Sequence, residues 1–215
     1  MKRLLALTVS LLVLAPVLAF GGFEEGRHYA EVPFPQPVET GKQIEVREFF
    51  WYGCPHCYTL EPALNRWLSR KPANVAFVRT PGTAQRWLTH AQAFYAFEAL
   101  GVTERLHPAF FEAVQRGKPR LDDEQSLVQF VKEHGVDPAK FREAFASFGV
   151  RLNVEKAKRL NEAYGINSVP TITVDGKYVT SPSLAGGEEA VFKVIEFLVQ
   201  KAARERASAR GSARP

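Results

Sequence analysis

The chain has 215 residues, 46% hydrophobic and 24% charged, with a formal net charge of +5 and only two cysteines. That length holds one domain, or one domain with an insertion, and buries enough apolar surface to fold without covalent staples. The basicity does not indicate nucleic acid, because it sits at the ends: Lys2 and Arg3 lie in an N-terminal leader, and five cations from Lys201 to Arg214 outnumber Glu205 in a C-terminal tail.

Residues 1–19 read as a secretory signal peptide. Lys2 and Arg3 precede an apolar run from Leu4 to Phe20, broken only by Thr8, Ser10 and Pro16, and Val17-Leu18-Ala19 offers cleavage after Ala19. An uncleaved anchor is the alternative; Pro16 and a span of only ~17 residues oppose it. Ile44 to Phe50 is rich in β-branched and aromatic residues and predicts a buried strand. Gly53 turns the chain, Pro55 suits the first helical position, and Leu60, Leu64, Trp67 and Leu68 mark an amphipathic helix.

Asn74 to Thr80 predicts a second strand, closed by Pro81-Gly82; the stretch "RTPGT", residues 79–83, is assigned no role. The period then turns helical. Trp87, Ala91, Phe94 and Phe97 mark one helix, stopped by Gly101. Leu106, Phe110 and Ala113 mark a second, stopped by Gly117, and Leu127, Phe130 and Val131 a third, stopped by Gly135. Asp137 caps a fourth, carrying Phe141, Ala144, Phe145 and Phe148 and stopped by Gly149. A fifth runs from about Leu152 to Tyr164. These aromatics read as core. Thr171 to Val174 and Lys177 to Thr180 form a hairpin around Asp175-Gly176. Glu188 to about Arg206 is the last helix, followed by a disordered basic tail at 207–215, for which an anionic surface is a second reading. The organisation is α/β: residues 20–82 and 164–206 carry the strands, and 83–163 form a helical block between them. No repeat, phosphate-binding glycine loop or Ser/His/Asp triad pattern occurs.

Cys54 and Cys57 stand in "FFWYGCPHCYTLEP". Export places them where disulfides persist. As reinforcement the bridge is poor: a loop of about four residues gives roughly 2 kcal/mol, against roughly 3 for fifteen. As a metal site it is incomplete, since Cys54, His56 and Cys57 are three donors, two of them adjacent, and His28, His90, His107 and His134 are scattered. Redox chemistry fits better. A thiol at a helix N-terminus meets unpaired N–H groups and the positive end of the helix dipole, and His56 can add charge beside it. A favoured thiolate stabilises the dithiol form, which makes the disulfide oxidising.

"EEGRHYAEV", "VREFFWYGCPHCYTLEP" and "GINSVPTITVDGKYV", in this order behind a leader, resemble the DsbA family of bacterial periplasmic thiol–disulfide oxidoreductases. The resemblance implies a thioredoxin fold, a central mixed β-sheet flanked by helices, with an inserted all-helical domain. It makes Cys54 the exposed nucleophile and Cys57 the buried resolving thiol, with Pro55 and His56 the family's favoured pair between them. It matches Glu48 to a buried acid assisting proton transfer, where an edge-of-strand surface carboxylate is the other reading. Glu61 fits a second family acid or a solvated helix residue, and Pro62 a helix-kinking proline. Val169-Pro170 fits the family's cis-proline loop, whose backbone pairs with an extended substrate beside the cysteines; Val169 would help set the potential. The implied activity is donation of the Cys54–Cys57 disulfide to reduced, folding exported proteins by a monomeric periplasmic enzyme. Reoxidation would come from a quinone-linked membrane oxidase of the DsbB type, with no bound cofactor, metal or nucleic acid. A reductase or isomerase shares the chemistry at another potential, and a non-enzymatic thioredoxin-like binding module with a structural disulfide is the remaining alternative.

Overall fold

The computed structural model describes residues 22–117 and 120–212. The leader read at 1–19 lies outside them. β1 (Ala30–Glu31), β2 (Ile44–Phe50), β3 (Val75–Pro81), β4 (Thr171–Val174) and β5 (Tyr178–Thr180) form one mixed sheet in the order β1-β5-β4-β2-β3. β2 is an interior strand, as its apolar and β-branched content requires: all seven residues are buried, with β3 parallel on one side and β4 antiparallel on the other. α1 (Pro55–Leu68) follows β2 directly and α8 (Ala190–Ser212) closes the chain. Ile44, Val46, Val75, Ile172 and Val174 of the sheet share one core with Leu60, Leu64 and Trp67 of α1 and Phe192, Ile195 and Leu198 of α8.

Between β3 and β4 a 3-10 turn (Gln85–Trp87) leads into α2 (Leu88–Ala99), α3 (Thr103–Arg116), α4 (Glu124–Glu133), α5 (Pro138–Phe145) and α6 (Phe148–Ala163). Phe94, Phe97, Phe110, Phe111, Phe130 and Phe141 form their core. That core also takes in Phe50, Tyr52, Cys54 and Cys57. α1 therefore straddles two cores: its sulfur-bearing first turn packs toward the helical block and its later turns toward the sheet.

The glycine stops at 101, 117, 135 and 165 all have positive φ, as helix-terminating glycines do. Gly149 does not stop a helix. Ser147 caps α6, accepting the Val150 N–H, so Phe148 and Gly149 open α6 rather than close α5, and Phe148 is exposed. The hairpin turn holds Asp175 at φ 56° and Gly176 at φ 69°. A Cβ on Gly176 would lie 2.0 Å from the Gln36 carbonyl oxygen. The last helix begins later than expected, at Ala190, after the short helix α7 (Pro182–Ala185), and runs on to Ser212. Residues 207–212 are thus helical, not disordered, consistent with the alanines at 207 and 209; 213–215 lie outside the described residues. No described helix is long and apolar enough to cross a membrane.

Candidate active site

β2 delivers the chain into Trp51-Tyr52-Gly53 and then into α1, and Cys54 is the N-cap of that helix. Its Sγ takes the position of the usual capping oxygen, accepting the Cys57 N–H at 3.4 Å. Pro55, with no N–H to leave unpaired, fills the first position. Across the gap the Val169–Pro170 peptide bond is cis, and the Cys54 thiol donates to the Val169 carbonyl at 3.3 Å. The sequence-distant loop and the thiol thus meet directly. Beside them a groove of about 490 Å³ is lined by His56, Ser168, Val169, Pro170, Pro182 and Glu188 among others.

Both cysteines are free thiols, and their environments differ sharply. The hydrogen bond from the Cys57 side chain, together with the backbone N–H groups of Cys57 and His56 and the field of His56, lowers Cys54 from its ordinary value near 9 to about 6, although burial opposes this. Cys57 is fully buried; burial first, then Cys54 and the charge of Glu48, push it far above the ordinary thiol range. Cys54 is more covered than the expected exposed nucleophile, at 7% exposure, because the first turn of α1 and the Val169 carbonyl lie against it. Cys57 is nevertheless the more buried of the two.

Beneath the sulfurs lies a buried group of charges. Glu48 is in the interior strand β2, 1% exposed, in register with Arg79 on β3; it is no surface carboxylate. Arg79 Nε approaches Glu48 Oε2 at 3.4 Å, but neither Glu48 oxygen makes a hydrogen bond. Burial raises the Glu48 carboxyl to about 8, against the pull of Arg79. Glu61, on α1, is also buried and accepts from Arg79 Nη2 at 3.2 and 3.3 Å. Burial would raise it, yet His107 and Arg79 outweigh that and hold it below the usual carboxylate value. His107, on α3, lies with Nε2 3.5 Å from Glu61 Oε1 and Nδ1 2.8 Å from the Tyr52 hydroxyl. Among the described residues no cluster of three or more His, Cys, Asp and Glu could hold a metal ion.

The structure thus brings Cys54, Cys57, Pro55, His56, Val169 and Pro170 to one place, with Glu48 and Glu61 behind it. Sequence reading missed Arg79, His107 and Tyr52. It also gave "RTPGT" no role, yet this stretch supplies Arg79, the Thr80 hydroxyl that accepts from Arg47 Nη1 at 2.7 Å, and Gly82, whose N–H donates to the Phe50 carbonyl at 2.7 Å. A Cβ on Gly82 would sit 2.7 Å from the Trp87 ring, which stacks on Trp51 at 4.8 Å.

A mixed sheet, a helix capped by the first cysteine of a Cys-X-X-Cys pair and a facing cis-proline loop define the class, the thioredoxin-fold thiol–disulfide oxidoreductases. A model of the DSBA-like thioredoxin domain matches residues 79–192. The thiol:disulfide interchange protein DsbA of Azotobacter vinelandii is 40% identical over 177 residues, covering 82% of this chain and 83% of its own. That of Pseudomonas aeruginosa is 40% identical over 189 residues, 87% of this chain and 88% of its own. The crystal structure of Pseudomonas aeruginosa DsbA superposes with a TM-score of 0.81, covering 87% of this chain and 97% of that one. The chain belongs to the DsbA family.

Proposed function

We propose that this thiol–disulfide oxidoreductase acts as a dithiol oxidase on exported proteins, with Cys54 and Cys57 as its reacting groups. The observation that carries the reading is the inequality of the two thiols: Cys54 is lowered to about 6 at a helix N-terminus, while Cys57 is pushed far up by burial. A substrate thiolate attacks Cys54 Sγ of the disulfide; the Cys54–Cys57 bond breaks, and Cys57 leaves with the electron pair and takes up a proton. A second substrate thiolate then attacks the substrate sulfur of the mixed disulfide, and Cys54 departs as the stabilised thiolate. Two substrate thiols are oxidised and one enzyme disulfide is reduced. Because the leaving Cys54 is a comfortable anion, the second step runs forward and the disulfide is oxidising.

Glu48 is the buried acid nearest in function to this proton movement, since its ionisation is coupled electrostatically to both sulfurs. Pro170 and Val169 present backbone to an extended substrate, and the groove at His56 and Pro182 accepts its side chains. The enzyme works in the periplasm as a monomer behind a cleaved signal peptide, and a quinone-linked membrane oxidase of the DsbB type restores its disulfide. The relatives' name, thiol:disulfide interchange protein, supports the reading. The test is to mix the oxidised protein with a reduced, unfolded ribonuclease. Rapid loss of substrate thiols, abolished in Cys54→Ser, is expected; a protein that leaves them untouched, or a Cys54→Ser variant with full activity, sinks it. Equilibration with glutathione separates an oxidase from a reductase.

A further inference from the structure

Two buried carboxylates share one guanidinium, unevenly. Glu61 receives Arg79 Nη2 on both oxygens and faces His107 Nε2. Glu48 has a single off-direction approach from Arg79 Nε. One guanidinium neutralises one carboxylate, and a second bare charge in the same dry space is costly. The pair therefore holds one proton between them, and the donors around each oxygen decide where it rests.

His107 is the group that tips the choice, its Nε2 standing 3.5 Å from Glu61 Oε1, a close approach short of a formed hydrogen bond. It reaches in from α3, with Phe50 and Phe111 edge-on to its ring at 5.2 and 5.0 Å. Nδ1 lies 2.8 Å from the Tyr52 hydroxyl; with Tyr52 as the donor there, the ring hydrogen sits on Nε2, the nitrogen facing Glu61, the tautomer that a neighbouring carboxylate favours. The charged and titratable groups acting on His107 come from every side: Glu61 from α1, Arg79 from β3, Tyr52 from the β2–α1 turn and Glu104 from its own helix. Burial keeps the imidazole neutral.

We propose that His107 is a positioning residue: by presenting Nε2–H to Glu61 it keeps that carboxylate ionised and leaves the shared proton on Glu48, the acid that acts on the two sulfurs. This rests on the dithiol reading of Cys54 and Cys57. Without His107 the proton moves to Glu61, Arg79 turns to Glu48, and the one remaining negative charge stands closer to the sulfurs. A thiolate at Cys54 then forms less readily.

The experiment titrates the Cys54 thiolate of the reduced protein by its ultraviolet absorbance. For His107→Leu the midpoint should rise by on the order of half a pH unit, because the one negative charge is moved from Glu61 to Glu48 rather than added. His107→Gln, whose amide can donate to Glu61 and accept from Tyr52, should keep the wild-type midpoint. Glu61→Gln should shift it as His107→Leu does, and the double variant no further. An unmoved midpoint in His107→Leu, a full shift in His107→Gln, or additive shifts in the double variant overturn the proposal. Should His107→Leu not fold, an unmoved midpoint in Glu61→Gln overturns it alone. The titration uses no substrate, so its failure is distinct from a failure of the oxidase assay.

Discussion

Two arginines stand on neighbouring strands of the sheet, Arg47 on β2 and Arg79 on β3, and they live in opposite circumstances. Arg47 points to one face. Its Nε donates to Glu45 at 2.8 Å, its Nη1 to Thr80 at 2.7 Å, and its Nη2 lies 3.5 Å from Glu39. Glu39 also pairs with Lys156, and its N–H donates to the free oxygen of Glu45 at 3.0 Å. Two acids meet two cations. Arg79 shares the other face with Glu48, and there two acids meet one cation, leaving both Glu48 oxygens, Arg79 Nε and His107 Nε2 without a hydrogen bond. Buried polar groups are ordinarily satisfied. The satisfied cluster specifies the fold; the unsatisfied one, under the cysteines, is where a proton has more than one place to be.

Breaking each cluster should show that difference. Arg47→Met strands the buried Glu45 and the Thr80 hydroxyl. It should cost about 3–5 kcal/mol in urea unfolding and leave the Cys54 titration midpoint where it was. Arg79→Met should cost less, about 1–3 kcal/mol, because Glu48 is already neutral and Glu61 can take a proton, yet it should move that midpoint. Equal costs with an unmoved midpoint would erase the distinction.

The next effect is a dependence on pH. Glu48 titrates near 8 in the folded protein, above the ordinary carboxylate value of 4.5. The folded state therefore binds more protons than the unfolded one between those values, and stability falls as pH rises through that window, levelling off above 8. The stability it costs is on the order of a few kcal/mol. Glu48→Gln should flatten the wild-type decline between pH 5 and pH 8 in parallel denaturation curves; an identical decline in both proteins would refute it. The smallest effect belongs to the rim of the satisfied cluster. Glu39 is half exposed, so Glu39→Gln should shift unfolding by under about 1 kcal/mol, and a larger loss would mean that the Arg47 group is less redundant than its contacts indicate.

Much of this is legible in the sequence. β2 falls at Ile44–Phe50, as its residue types indicate, and the glycines end the helices where the apolar stripes stop. Local rules decide those features. They misplaced the α5–α6 junction because Gly149 resembles a stop, while Ser147, a capping residue three before Val150, carried the contrary signal. β1 has two residues, too few for any periodicity. The paired thiols are readable because their motif is short; the cis-proline loop is readable only through the family resemblance that "GINSVPTITVDGKYV" carries. The charge group was not: Glu48, Glu61, Arg79 and His107 lie on four elements, and a histidine in an aromatic-rich helix looks like core until Glu61 is seen beside it.

The cap on α1 carries a last consequence. In most helices the capping atom is a spectator, an oxygen that stays put for the life of the fold. Here it is the sulfur to which the proposed function gives the reaction. On the proposed mechanism, Cys54 Sγ bonded to another sulfur is a weaker acceptor for the Cys57 N–H than the thiolate is, so the cap, worth roughly 0.5–2 kcal/mol in an ordinary helix, is strongest in the reduced form. On that reading the end of α1 is itself part of the redox balance, and the backbone favours the state in which the disulfide has been given away.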